Sequence, residues 1–162
     1  MSCRKVICIS GFVEACGARG VCKTMNVHFS SKTSEWATPQ LVYDALHAEF
    51  VFTLDAAATT ANAKCAHFYT RFDDGLSKDW IGERVFCNPP YGREIGRWVK
   101  KCAEGRAFVA VALLPARTDT QWFHNYILGT AQIRFLKGRL KFGNCKNSAP
   151  FPSMVCVWRA NA

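Results

Sequence analysis

Long apolar runs are missing from the sequence. None reaches the roughly 18 residues that a membrane-spanning helix needs, which excludes an integral helical membrane protein. CxxC pairs and Cys/His knuckles are also missing, although the chain holds nine cysteines, and this speaks against a structural zinc site. The cysteines are odd in number and irregularly spaced, and Cys87 and Cys156 sit inside apolar runs. They read as free thiols of a reducing, intracellular protein that pack as small hydrophobes. Internal repeats and low-complexity blocks are absent. Acidic residues are scarce in one half only. Residues 97–162 carry 11 Lys/Arg against Glu104 and Asp119 alone, while residues 1–96 carry 10 of each sign. The whole net charge of +9 therefore lies in the C-terminal part, the kind of one-sided basic surface that suits a polyanion such as nucleic acid.

What is present is enough for one folded domain: 162 residues, 49% of them hydrophobic and 13% aromatic, which excludes disorder of the whole chain. Residues 1–24 stand apart. They hold four of the nine cysteines and show neither helical nor strand periodicity. Arg4-Lys5 before Val6-Ile7-Cys8-Ile9 imitates a signal peptide, but the run is short and Ser10-Gly11 breaks it. Met25 is the expected natural start, with residues 1–24 an N-terminal extension and residues 25–162 the domain. Mass spectrometry of the natively expressed protein checks this.

Thr38-Pro39 predicts a helix start, with Thr38 as N-cap and Pro39 at the first helical position, followed by Leu41, Val42, Ala45, Leu46 and Phe50 at helical spacing. Phe50 to Leu54 reads as a buried strand ending at Asp55, and a short strand is expected around His67-Phe68-Tyr69. Arg84 to Cys87 reads as a second strand that stops against Asn88-Pro89-Pro90. Residues 94–104 have helical spacing through Ile95, Trp98, Val99 and Cys102. Ala107 to Leu114 is a continuous apolar run, as in a central parallel strand, and ends in Pro115. A helix over Thr120 to Leu128 and strands over Gln132 to Leu136 and Ser153 to Trp158 complete the pattern. The alternation predicts an α/β fold with a largely parallel sheet. Ligands of such sheets sit beyond the carboxyl ends of the strands, where Asp55, Asn88 to Tyr91, and Pro115 share one rim.

Asn88-Pro89-Pro90-Tyr91 carries the sharpest chemistry. Two prolines stiffen the segment and remove donors, so its carbonyls and the Asn88 amide oxygen remain as acceptors. Tyr91 adds a flat aromatic face. Together they suit a planar group bearing an exocyclic NH2: the amine donates to the Asn88 oxygen and a proline carbonyl while the ring stacks on Tyr91. Two acceptors draw the nitrogen lone pair out of conjugation and make it more nucleophilic.

This motif after a hydrophobic strand resembles that of the amino-methyltransferases that use S-adenosylmethionine. From about Val27 to Arg159 the chain is similar to the small phage-encoded DNA adenine methyltransferases of the Dam type. The resemblance rests on Trp36-Ala37-Thr38-Pro39, Glu49-Phe50, Thr53-Leu54-Asp55-Ala56-Ala57-Ala58, Asp74-Gly75-Leu76 with Trp80, and Asn88-Pro89-Pro90-Tyr91-Gly92. It continues through Leu114-Pro115-Ala116-Arg117-Thr118-Asp119-Thr120, Gly138-Arg139-Leu140-Lys141-Phe142 and Ala149-Pro150-Phe151-Pro152.

The resemblance implies a single-domain Rossmann-like fold, with a mostly parallel sheet and a C-terminal antiparallel strand. It also implies transfer of a methyl group from S-adenosylmethionine to the N6 amine of a flipped adenine. Asn88, Pro89, Pro90 and Tyr91 are then catalytic. Trp36, Thr38, Pro39, Asp55, Ala57 and Asp74 belong to the cofactor site: Thr38-Pro39 closes over it, Asp55 meets the methionine ammonium, and Asp74 holds the adenine amine, with Asp73 as its rival. Ala56-Ala57-Ala58 replaces the usual Gly-rich loop, and its small side chains still permit close approach. Arg117, Arg134, Lys137, Arg139, Lys141 and Lys146 are the expected DNA contacts, with the 137–148 loop against the backbone. Sequence readout falls to residues 59–79 or 137–151. The expected partner is double-stranded DNA, with no metal and no membrane, in a monomer or weak dimer of the bacterial cytoplasm. The donor is already activated and the amine need not lose its proton first, so no His is assigned as a base. Three other readings compete: methylation of cytosine or an RNA base, methylation of a glutamine amide, and a non-catalytic nucleic-acid-binding module. His47-Ala48-Glu49 fits the H-x-E of zinc deaminases, but the P-C-x-x-C that should follow is absent.

Overall fold

The computed structural model describes residues 36–143 and 147–160. The N-terminal extension, the expected start at Met25, and Lys146 lie outside the described residues. In chain order the elements are α1 (Gln40–Phe50), β1 (Leu54–Asp55), β2 (His67–Phe68), β3 (Arg84–Cys87), α2 (Ile95–Glu104), β4 (Val109–Pro115), α3 (Gln121–Tyr126), β5 (Gln132–Phe135) and β6 (Ser153–Arg159). The strands form one six-stranded sheet in the order β2-β1-β3-β4-β6-β5. β2, β1, β3 and β4 are mutually parallel, and β6 runs antiparallel to both neighbours, β4 and β5. This is the α/β, Rossmann-like arrangement expected from the sequence, with its single reversed strand near the C-terminus.

β4 is the spine. All seven of its residues are buried, and each pairs with β6, from Val109↔Arg159 to Pro115↔Ser153. Alternation along the strand divides its side chains between two layers. Ala110, Ala112 and Leu114 face Ile95, Val99 and Cys102 of α2 and Phe123 of α3. Val109, Val111 and Leu113 face Tyr43, Leu46 and Phe50 of α1, together with Phe52, Phe86 and Phe142. Each fully buried aliphatic side chain in these layers contributes about 1.5–3 kcal/mol of transfer free energy. Cys87, Cys102 and Cys156 are buried free thiols, and burial pushes Cys156 up to about 12.

The first helix differs from its sequence reading. Its buried face is Tyr43, Leu46 and Phe50, whereas Leu41 is 84% exposed and Ala45 is also exposed. Thr38 is not the N-cap; that position belongs to Pro39, whose carbonyl accepts the N–H of Val42 and Tyr43. The expected strand over Phe50 to Leu54 shrinks to Leu54–Asp55. Phe50 is the last helical residue, and Val51 adopts the left-handed conformation (φ 51°) with its N–H donating to His47 O at 2.8 Å. An apolar run cannot by itself distinguish the buried end of a helix from a strand. The third helix is also shorter than expected, covering only Gln121–Tyr126.

Candidate active site

The sheet order reverses at β1, which has β2 on one side and β3 on the other. Such a switch point leaves a crevice beyond the strand ends. A cavity of about 520 Å³ occupies it, bounded by Asp55 at the end of β1, Asn88-Pro89-Pro90 after β3, and the loop after β2. Its volume is that of a typical small-molecule site.

At the β1 end, Asp55 is only 2% exposed. Its Oδ2 accepts the Lys64 backbone N–H at 3.0 Å and its Oδ1 accepts that of Ala57 at 3.5 Å. The carboxylate thus organises the loop that follows it, rather than capping a helix. Burial raises its pKa against the lowering effect of these two hydrogen bonds. No salt bridge reaches it among the described residues, and the Lys64 ammonium turns instead to Gln40 Oε1 at 2.6 Å. A buried carboxylate facing a cavity without a cationic partner fits a cationic ligand group.

Asp74 stands across from it on the 59–79 loop. It lines the cavity in the left-handed conformation (φ 50°), whereas Asp73 does not line it. Asp73 Oδ2 accepts from both the backbone N–H and the hydroxyl of Thr70, which holds its carboxyl below the usual range. The following glycine has a clear steric reason. A Cβ on Gly75 would lie 2.4 Å from the Ala56 carbonyl oxygen and 3.2 Å from the Trp98 ring. The Gly75 carbonyl also accepts the indole N–H of the fully buried Trp80 at 3.1 Å. Asp74 is therefore displayed from a segment pressed onto the end of β1.

At the β3 end, the Asn88 amide nitrogen donates to the Trp36 carbonyl and, at 2.9 Å, to the Thr38 hydroxyl oxygen. A carbonyl can only accept, so the Trp36 contact fixes which end of the amide is NH2. The other end, Oδ1, is buried and has no hydrogen-bond partner among the described residues. An orphaned acceptor of this kind is costly unless a ligand satisfies it.

Most of the expected site residues meet here. Trp36, Thr38, Asp55, Ala57, Asp74, Asn88, Pro89 and Pro90 all line the cavity. Pro39 and Tyr91 do not. Pro39 serves the helix entry. Tyr91 turns inward: its hydroxyl donates to the Leu113 carbonyl at 3.0 Å, and its ring meets Phe142 and Phe151 edge-on. Burial raises its pKa. Arg117, Lys137, Arg139 and Lys141 are exposed and lie off the cavity lining. Arg134 forms a bidentate pair with Glu49, its guanidinium lying over the Phe50 ring, and this pair rather than a free cation is what the edge strand presents. Sequence reasoning missed Arg71, Phe72, Arg97 and Trp98 as lining residues. Phe72 is 85% exposed, with the Arg71 guanidinium 4.7 Å from its ring centroid. The available signal was an aromatic isolated in a polar loop next to Asp74.

The parallel sheet with one reversed strand, the acidic residue at the end of β1 and the proline-stiffened acceptors after β3 define a Rossmann-like methyltransferase. More narrowly, residues 27–160 match the model of the family described as DNA N-6-adenine-methyltransferase (Dam), and the chain belongs to that family. It is similar to the DNA N-6-adenine-methyltransferase of Escherichia phage T1, with 33% identity over 109 residues, covering 65% of this chain and 45% of the relative. It is also similar to that of Haemophilus phage HP1 (strain HP1c1), with 28% identity over 114 residues, covering 67% of this chain and 66% of the relative. The chain thus spans less than two thirds of each of these relatives.

Proposed function

We propose that the protein methylates the N6 amine of adenine in double-stranded DNA, with S-adenosylmethionine as donor. The observation that carries this reading is the Asn88 amide at the cavity wall: its nitrogen is fully engaged, and its oxygen is buried with no partner among the described residues. That oxygen accepts one hydrogen of an exocyclic amine. A proline carbonyl of the same segment is the second acceptor; that of Pro90 accepts the Gly92 N–H at 2.9 Å with one of its two lone pairs. Neutral acceptors hold the amine by its hydrogens and leave the lone pair for attack, without drawing the proton off first.

The cavity fits the donor. Asp55 holds its ammonium, Asp74 holds its adenine amine, and Ala57 allows close approach. When bound, the cofactor supplies a methyl group already activated on a sulfonium. The chain then needs to position both partners and exclude water, and these effects supply most of the rate. An adenine buried in a duplex has to leave the stack first, at a cost of a few kcal/mol. Exposed Lys137, Arg139, Lys141 and Arg117 hold the backbone on either side. The bacterial cytoplasm, where a phage enzyme meets its DNA, is in keeping with the free thiols at 65, 87, 102 and 156.

The test is product analysis. Full-length protein is incubated with unmethylated duplex DNA and labelled cofactor, and the DNA is digested to nucleosides. N6-methyladenine is the expected product. Methylcytosine, or DNA that takes up no label, overturns the substrate assignment.

A further inference from the structure

We infer that Thr38 is a positioning residue for the Asn88 amide rather than a contact to the methyl donor, and that its hydroxyl, with the Trp36 carbonyl, aims the amine-accepting oxygen. This inference deepens the methyltransferase reading and rests on it.

Five observations support it. Thr38 is 6% exposed, although it precedes a helix whose N-cap it does not serve. Its hydroxyl oxygen is instead 2.9 Å from Asn88 Nδ2, across 50 residues of chain. The Trp36 carbonyl takes the second hydrogen of the same NH2. The intervening Ala37 is itself fixed, because its carbonyl accepts the N–H of Gly143 at 2.8 Å, with Gly143 in a left-handed conformation (φ 53°). The Trp36 ring packs edge-on against Phe142 and Phe151, with centroids 5.3 and 5.2 Å away, so the segment is clamped on its far side as well.

The physical need is clear. An amide turned by half a rotation would present NH2 to the NH2 of the target, donor against donor. Nothing in the β3 backbone prevents that rotation, since Asn88 follows the end of the strand. The Trp36 carbonyl, an acceptor only, selects the productive orientation. Thr38 fixes the plane: with two acceptors at defined places, both Nδ2 hydrogens are committed and Oδ1 has one direction. Through Ala37 and Gly143 the same clamp joins the basic 137–143 segment to the reacting end of the cavity.

The test compares two variants that differ only in the hydroxyl, Thr38→Ser and Thr38→Ala, in the full chain. Turnover is measured on unmethylated duplex DNA, and cofactor affinity by calorimetry. Thr38→Ser should turn over like wild type. Thr38→Ala should lose about 10- to 100-fold in kcat, the scale of a misaligned reacting group, with cofactor Kd unchanged. Equal kcat for the two variants overturns the inference. So does a loss that appears in cofactor Kd alone, which makes Thr38 a cofactor contact. Should Thr38→Ala fail to fold, the wild-type protein still decides: the Asn88 side-chain NH2 signal, assigned by its loss in Asn88→Asp, should exchange slowly with solvent. Exchange at the rate of an exposed amide overturns the proposal. Wild-type protein that methylates no adenine refutes the underlying function instead, and this outcome is separate from any difference between the variants.

Discussion

The two ends of the cavity have opposite electrical character. At the β1 end stand two carboxylates, Asp55 buried as the last residue of β1 and Asp74 at the surface on the loop after β2. At the β3 end stand neutral acceptors, the Asn88 amide oxygen and a proline carbonyl, on a segment stiffened by Pro89-Pro90. On the proposed function, the difference teaches how one pocket serves two ligands. A cation is held by charge, and a carboxylate does this even in a loop. A neutral amine has to be aimed, and rigid acceptors aim it by its hydrogens while leaving the lone pair free.

Breaking each end should therefore give a different signature. The largest effect is expected at the neutral end: Asn88→Ala should lower kcat by about 100- to 1,000-fold, the scale of losing one oriented group at a reacting centre, with cofactor affinity retained. Equal loss of cofactor affinity would show that the two ends are not separate. Asp55→Ala should reverse the pattern, weakening cofactor binding by roughly 1.5–3 kcal/mol, as for a hydrogen bond to a charged group, in a calorimetric titration.

The pH dependence sharpens this contrast. Burial raises the Asp55 pKa above its ordinary value of 3.8. Cofactor affinity should fall as the pH drops through that raised value, because the protonated acid no longer pairs with the ammonium. Ligand-free stability has the opposite sign: the contribution of Asp55 is full below 3.8 and is lost as the pH rises through the folded value. The thermal shift produced by cofactor should accordingly be larger at pH 7 than at acid pH. Wild-type affinity that does not change with pH would remove Asp55 from the ammonium site.

Smaller effects probe the scaffold. Gly75→Ala places a methyl 2.4 Å from a backbone oxygen and should cost about 1–3 kcal/mol of stability in a denaturant melt, together with weaker cofactor binding. Arg139→Ala and Lys141→Ala should each reduce the salt slope of DNA binding by about one unit. Arg134→Ala, which breaks the exposed pair with Glu49, should leave that slope unchanged and shift stability by at most about 1 kcal/mol.

Parts of this were legible without coordinates. The run ending in Pro115 reads as a central strand because it is short, continuously apolar and stopped by proline, as a strand covered on both faces is. Arg84 to Cys87 and the turn at Asn88-Pro89 were equally clear, since proline cannot continue a ladder. Other parts were not. Phe50 reads as strand in sequence and packs as helix, because both environments ask only for a buried aromatic. Thr38 and Tyr91 carry the right chemistry for a cap and a stacking face, yet each spends its hydroxyl on a partner far along the chain.

The sequence by itself determined the largely parallel sheet, the rim that gathers Asp55 and Asn88-Pro89-Pro90, and which side chains carry acceptors. Burial and backbone stiffness are local properties, and they are written into residue type and spacing. Only the tertiary structure decided which way the Asn88 amide points, which of Asp73 and Asp74 faces the cavity, and which arginine is already paired. Those outcomes depend on hydrogen-bond partners supplied from elsewhere in the chain. A side chain with two possible orientations has no preference until its neighbours are in place.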